Sequence, residues 1–188
     1  MTSMLILFQL SAQPSEGTIS VGGSIGTHYN TNSSVKNFVL QLMPVGGYFL
    51  TNDLMAGMGL GYSVNTSKNK NPEFTTKGPL FHISPMVKYY WQPINRAGIF
   101  IQAYIDYATG NSKSKTSFGE STAKNTNFDF AFKSGLFLYV TPTIGVELSL
   151  SDFGIFTTKS TQNGSTTKTS TIGVISRPTN LTIFTFIK

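Results

Sequence analysis

The 188-residue chain has no cysteine, two histidines, one tryptophan and only 12% charged residues. Each scarcity excludes a class of chemistry. Without cysteine there is neither a disulfide framework nor a thiolate metal site. Histidines at 28 and 82 fall on different predicted strands and have no metal-ligand spacing, so no cofactor or metal is expected. No stretch approaches the roughly 20 consecutive apolar residues of a membrane-spanning helix. The net charge is +6, yet no lysine run is long enough to be a nucleic-acid footprint. Gly57, Gly59 and Gly61 recur at spacing two along a strand, which is not the phosphate-binding turn into a helix. An average soluble domain carries roughly 25% charged residues. Low charge with 13% aromatics, including 15 Phe and 8 Tyr, argues against disorder. The missing charge is therefore missing from a surface.

What is present is alternation. In the stretch Met43 to Val64, residues Leu54, Ala56, Met58, Leu60, Tyr62 and Val64 share one face, and Met55, Gly57, Gly59, Gly61 and Ser63 share the other. Period two is the strand period. A glycine-lined face lets backbone and long side chains approach closely. Similar alternation predicts strands over Thr18 to Tyr29, Lys36 to Leu50, Leu54 to Val64, Gly78 to Trp91, Ala97 to Ala108, Asn127 to Val140 and Ile144 to Phe156. A weaker eighth strand runs toward Lys188 and is broken, by a predicted bulge, around Arg177-Pro178. Pro44, inside the second strand, predicts a bulge or a rim position.

The connections alternate in kind. Thr51-Asn52-Asp53, Gln92 to Arg96 and Thr141-Pro142-Thr143 are tight turns. Asn30 to Ser34, Thr66 to Lys77, Thr109 to Thr126 and Thr157 to Ser170 are polar and read as loops, all but the first of them long. Short turns at one end and long loops at the other describe an all-β, antiparallel, up-and-down transmembrane barrel of about eight strands. A soluble lipocalin-like ligand-binding barrel has a similar strand count but turns its apolar face inward. Lys88, Asp106, Asp129, Lys133 and Glu147 would then be the exterior, which is too little charge for a surface in water. The reading is of an apolar wall facing lipid, with those residues inward.

The order and spacing of several motifs carry a resemblance. Pro44-Val45-Gly46-Gly47-Tyr48-Phe49 is followed by Thr51-Asn52-Asp53-Leu54, then by Ser84-Pro85-Met86-Val87-Lys88-Tyr89-Tyr90 and by the Thr141-Pro142-Thr143 turn. Over most of Gly17 to Lys188 the chain resembles the small outer-membrane β-barrel proteins of the OmpA-like, porin-family type found in Bacteroidetes. The resemblance implies a bacterial outer-membrane location, outer-membrane lipid as surroundings, and the barrel-assembly machinery as a partner during biogenesis. Chains of that type usually end in an aromatic residue, whereas here Phe186 is followed by Ile187 and Lys188. Residues Met1 to Gln13, with the apolar run Met4 to Leu10, read as a shortened signal segment ahead of a single barrel domain.

The candidate site is the inward face. His82, Lys88, Asp106, Asp129, Lys133 and Glu147 should form a lumen cluster, because isolated charges in a narrow barrel cost several kcal/mol unless paired or hydrated. Eight strands leave an interior just wide enough for side chains to fill it. An ionic plug is the expectation, and a narrow channel for a small polar solute is the alternative. A barrel enzyme acting on lipid A or peptides would draw on His82, opposite Asp106 by register counting and near Ser84, or on His28 near the outer end of the first strand. No catalytic residue is assigned. Lys68, Lys70, Lys113 and Lys115, placed in loops, could face the phosphates of lipopolysaccharide. The functional expectation is a non-enzymatic envelope or surface-interaction protein.

Overall fold

The structure, a computed structural model, describes residues 14–31, 35–70, 73–116, 119–175 and 180–187. The predicted signal segment and the Arg177-Pro178 break lie outside the described residues. Nine strands are present among them: β1 (Ile19–Thr31), β2 (Val35–Phe49), β3 (Leu54–Lys70), β4 (Glu73–Ile94), β5 (Ala97–Thr116), β6 (Gly119–Tyr139), β7 (Ile144–Gln162), β8 (Ser165–Ile175) and β9 (Asn180–Ile187). Each of β1 to β7 pairs antiparallel with the next in sequence. The ring closes through β9, which pairs with β1 from Ile19↔Ile187 to Gly26↔Asn180 and with β7 from Ile144↔Thr185 to Leu148↔Leu181. β8 takes over from β9 along the upper part of β7, so the predicted eighth strand is present as two pieces of one stave.

The long polar loops are corrected by the structure. Thr66 to Lys77, Thr109 to Thr126 and Thr157 to Ser170 are for the most part strand, continuing the ladders in unbroken register as projecting hairpins. Their Thr and Ser residues are compatible with extended backbone, and their polarity says only that both faces are wet. One of these hairpins carries a signal that the loop reading passed over. Asn163 and Gly164 are the two residues between β7 and β8, with φ of 50° and 77°. Two consecutive positive φ values in a two-residue connection make the type I′ turn that Asn-Gly favours.

Pro44 is neither at a rim nor in a bulge. It sits within β2 opposite Gly23, and the β2–β3 register is the same on either side of it, Leu42↔Tyr62 and Val45↔Gly59. The ladder simply skips Met43 and Pro44 on the β3 side, where the proline has no N–H to give. Pro79 and Pro85 leave similar gaps between β4 and β5 without shifting register. The shifts that do occur lie at Trp91/Ile94 and at Ser134/Gly135.

The barrel is inverted relative to a water-soluble one. Along β4, Phe81, Ile83, Val87, Tyr89 and Trp91 are exposed on the outside, while His82, Ser84, Met86, Lys88 and Tyr90 are buried inside. From Phe81 to Trp91 the apolar face is eleven residues long, the length with which a tilted strand crosses a bilayer. This placement removes the lipocalin-like alternative. Inside, the glycines are seats for larger side chains. A Cβ added at Gly145 would meet the Phe184 ring at 2.3 Å and Tyr139 at 3.0 Å, and one at Gly59 would meet the Met43 sulfur at 2.7 Å. Gly145→Val should therefore force those rings apart and cost about 1–3 kcal/mol, read as a lower urea midpoint for the lipid-folded protein. An unchanged midpoint would show that the rings do not depend on that seat.

Candidate functional site

The lumen is built in layers. At the tight-turn end, Phe49, Phe100, Phe137, Tyr139, Phe184 and Phe186 are all at most 6% exposed and pack with Tyr90. Phe137 and Tyr139 lie 5.0 Å apart between ring centroids, Phe184 and Phe186 5.1 Å, and Tyr90 and Phe137 5.2 Å, the last pair nearly perpendicular. Offset and edge-to-face contacts of this kind add to the burial itself. Together these rings form an aromatic stopper across that end of the barrel.

Directly above it, Glu147 accepts two short hydrogen bonds, from Lys88 Nζ to Oε2 at 2.6 Å and from the Tyr90 hydroxyl to Oε1 at 2.6 Å. Lys88 is 4% exposed and Glu147 2%. The Lys88 ammonium also lies 4.9 Å from the centre of the Phe100 ring, whose π face attracts a cation. A buried pair needs its remaining valences met to offset desolvation. Here Tyr90 takes the second carboxylate oxygen and Phe100 covers the ammonium.

A cavity of about 60 Å³ follows, lined in part by Ser84, Gln102, Asp106, Ser149 and Asn180. A space of that size and polarity is enough for a few waters. On its wall the Tyr104 hydroxyl donates to Asp152 Oδ2 at 2.6 Å, and Lys133 lies 5.0 Å from the Tyr104 ring and in register with Asp152. Above the cavity, Ser63 Oγ and His82 Nε2 are 2.8 Å apart, and His82 Nδ1 and Asp106 Oδ2 2.9 Å. Asp129 stands directly across from Asp106, and both are 4% exposed. Asp106 Oδ1 has no hydrogen-bond partner among the described residues.

All six residues of the expected cluster, His82, Lys88, Asp106, Asp129, Lys133 and Glu147, face the lumen. Two close pairs stand out among them: Lys88 with Glu147 near the stopper, and His82 with Asp106 higher up. The residue opposite His82 is Ala108, so Asp106 reaches it diagonally from two positions along β5. The serine on His82 is Ser63 of β3; Ser84 lines the cavity instead. The Ser63, His82 and Asp106 side chains are ordered as in a nucleophilic triad, but Ser63 sits in ladders with both Gln41 and Leu80. An oxyanion site needs free N–H donors beside the nucleophile, and strand pairing on both sides commits them. The three side chains make a buried hydrogen-bonded chain across β3, β4 and β5. His28 lies on β1 opposite Val39.

Asp152 escaped the sequence reading for a definite reason. Strict alternation along β7 puts Ser151 inward after Glu147 and Ser149, but the register shift pairs Gly135 with Ser149 and Ser134 with Ser151. Leu150 is the extra residue of a bulge, and everything beyond it changes face. Asp152, Gly154 and Phe156 thereby become interior. The stopper was within reach, since Phe137 and Tyr139 continue the parity of Asp129, Lys133 and Gly135 along β6. Lys68 and Lys70 belong to β3 and Lys113 and Lys115 to β5, so the four expected loop lysines are strand residues.

Glu147→Gln should leave Lys88 buried without its counter-charge and lower unfolding stability by about 3–5 kcal/mol. Replacing Lys88 and Glu147 together by methionine should recover most of that loss. Urea titration of lipid-folded protein measures both, and a double variant no better than the single one would mean that the pair is not what holds this layer.

No protein-family model matches the chain, and no curated protein matches it in sequence. Solved structures do match its fold. The outer membrane protein OprG from Pseudomonas aeruginosa aligns with a TM-score of 0.57 at 11% identity, over 94% of this chain and 98% of that one. A major outer membrane protein from Thermus thermophilus aligns with a TM-score of 0.51 at 14% identity, over 91% and 99%. At such identities the likeness is one of architecture: the chain has the closed antiparallel barrel fold seen in these outer-membrane proteins.

Proposed function

We propose that the chain is a non-enzymatic barrel of the bacterial outer membrane, with a closed lumen, that serves the envelope through its outer wall and projecting hairpins. The fold shared with outer-membrane proteins and the eleven-residue apolar face support the location. The observation that carries the closed lumen is the stopper. Six buried rings and Tyr90 cross the barrel, and the Lys88–Glu147 pair seals the layer above them. A hydrated ion following the axis would have to displace close-packed aromatics and separate a 2.6 Å ion pair. Interiors packed at crystal-like density do not yield such a path without rearrangement. The narrow-channel reading would need a continuous polar route, and the polar lining ends at the stopper.

Planar-bilayer recording provides the test. The wild-type barrel is expected to show no steady conductance above that of the protein-free bilayer, whereas Phe137→Ala combined with Phe186→Ala should admit ions. Steady unitary conductance from the wild type, altered by Glu147→Gln, would overturn the closed-lumen reading in favour of a channel.

A further inference from the structure

The outer wall of β2 to β5 carries two zones on one continuous outward face. The lower zone is apolar and aromatic and ends with Phe38, Tyr62, Phe81 and Tyr107, all exposed, with Tyr62 and Phe81 in edge-to-face contact at 5.8 Å. The same strands then run on, and their outward positions become Lys36, Lys68, Lys77, Lys113 and Lys115, all exposed. Lys36 is two residues past Phe38, Lys77 four from Phe81, and Lys68 and Lys113 six from Tyr62 and Tyr107. At about 3.3 Å per residue these ammonium groups begin ~7–20 Å along the strands above the last rings. Amphipathic rings mark the edge of the hydrocarbon, so Lys36 begins at the level of the headgroups, and Lys77, then Lys68 and Lys113, stand successively farther out, where the long stems can reach back toward a large headgroup.

Their mutual arrangement is costly without a ligand. Lys36 is directly opposite Lys68, and Lys77 is directly opposite Lys113. Lys68 faces Thr75, which makes Lys77 its diagonal neighbour and joins the two pairs into one strip. Like charges opposite one another destabilise a sheet. On this wall Glu120 bonds Lys115 at 2.6 Å, and Glu73 stands opposite Lys70. Among the residues whose side chains are described, no acid forms a salt bridge with Lys36, Lys68, Lys77 or Lys113, and Glu120, bonded to Lys115, also feels the charge of Lys113. Two shallow clefts flank the strip, one of about 650 Å³ lined by Lys68, Lys77, Lys113 and Lys115, the other of about 390 Å³ where Lys36, Lys68 and Lys77 meet Tyr29 and Phe38.

We propose that this strip holds the phosphorylated headgroup of a glycolipid in the surrounding leaflet. Lys36, Lys68, Lys77 and Lys113 supply the charge for its phosphates, and its acyl chains lie against Phe38, Tyr62 and Phe81. The inference rests on the reading of the chain as a membrane-spanning barrel, and it moves the contact from loop tips to the lipid-facing wall. Four neighbouring strands at about 4.8 Å spread the lysines over ~15 Å, room for a headgroup with more than one phosphate. Flexible ammonium stems suit phosphate as point charges.

The full chain, folded into phosphatidylcholine vesicles containing a minor fraction of diphosphorylated lipid A, should retain lipid A above its bulk share after extraction in mild detergent, as counted by native mass spectrometry. Lys68→Gln, Lys77→Gln and Lys113→Gln together should return retention toward the bulk share, by roughly fivefold per lysine at low salt. Lys159→Gln with Lys168→Gln, another opposed pair on β7 and β8, should leave retention unchanged. Equal retention by wild type and the triple variant overturns the proposal, as does an equal loss in the Lys159/Lys168 variant, which would indicate net charge alone. Gel mobility with and without boiling separates this from the barrel reading. A protein that shifts on boiling yet never enriches lipid A refutes only the strip, whereas one that never shifts refutes both.

Discussion

Where there is no water, every backbone N–H and C=O has to find a partner within the protein, and an open sheet cannot meet that demand at its two edges. The pairing of β1 with β9 closes the ring over eight rungs, from Ile19↔Ile187 to Gly26↔Asn180. The rest of the structure depends on that closure. Where those rungs run, the outer face can be almost wholly apolar, because the backbone there is paired on both sides. Closure also confines the polar faces of eight staves to one narrow interior. The three prolines that interrupt ladders without disturbing register, Pro44, Pro79 and Pro85, show how locally a missing donor can be absorbed once the ring is set.

Confinement decides the chemistry of the interior. Four carboxylates, two lysines and a histidine cannot each be hydrated in a barrel this narrow, so they are drawn into short contacts: Lys88 with Glu147, Tyr90 with Glu147, Tyr104 with Asp152, His82 with Asp106. Such pairs make each side chain dependent on its partner more than they make the fold stable. The stopper works differently. Its rings use glycines as seats, with Phe184 over Gly145, Phe137 over Gly98 and Phe100 over Gly135, so that aromatic area is buried without widening the wall. A glycine face opposite an aromatic one is a packing device.

The exterior has its own logic, set by depth. Apolar residues and rings occupy the span, and on β2 to β5 lysines enter the outward positions two to six residues beyond it. Where two lysines face each other across a ladder, as at Lys36↔Lys68 and Lys159↔Lys168, the sheet accepts a repulsion.

Much of this was legible in the sequence because period two is a local property. Alternation from Leu54 to Ser63 and from Phe81 to Tyr90 assigns strand and face with no knowledge of the neighbours, and the scarcity of charge says which face meets lipid. That placed His82, Lys88, Asp106, Asp129, Lys133 and Glu147 inside, and the tight turns at Thr51-Asn52-Asp53 and Thr141-Pro142-Thr143 supplied the order of the staves. What the tertiary structure alone decided is non-local. Whether Thr66 to Lys77 is loop or hairpin depends on a partner strand continuing alongside, because polar residues are equally at home in either. Which serine reaches His82 depends on register across three strands. Asp152 is interior because β7 gains a residue against β6 at Leu150, and a single unpaired residue reverses every face beyond it. Register and closure are agreements between distant segments, and one segment's sequence does not contain them.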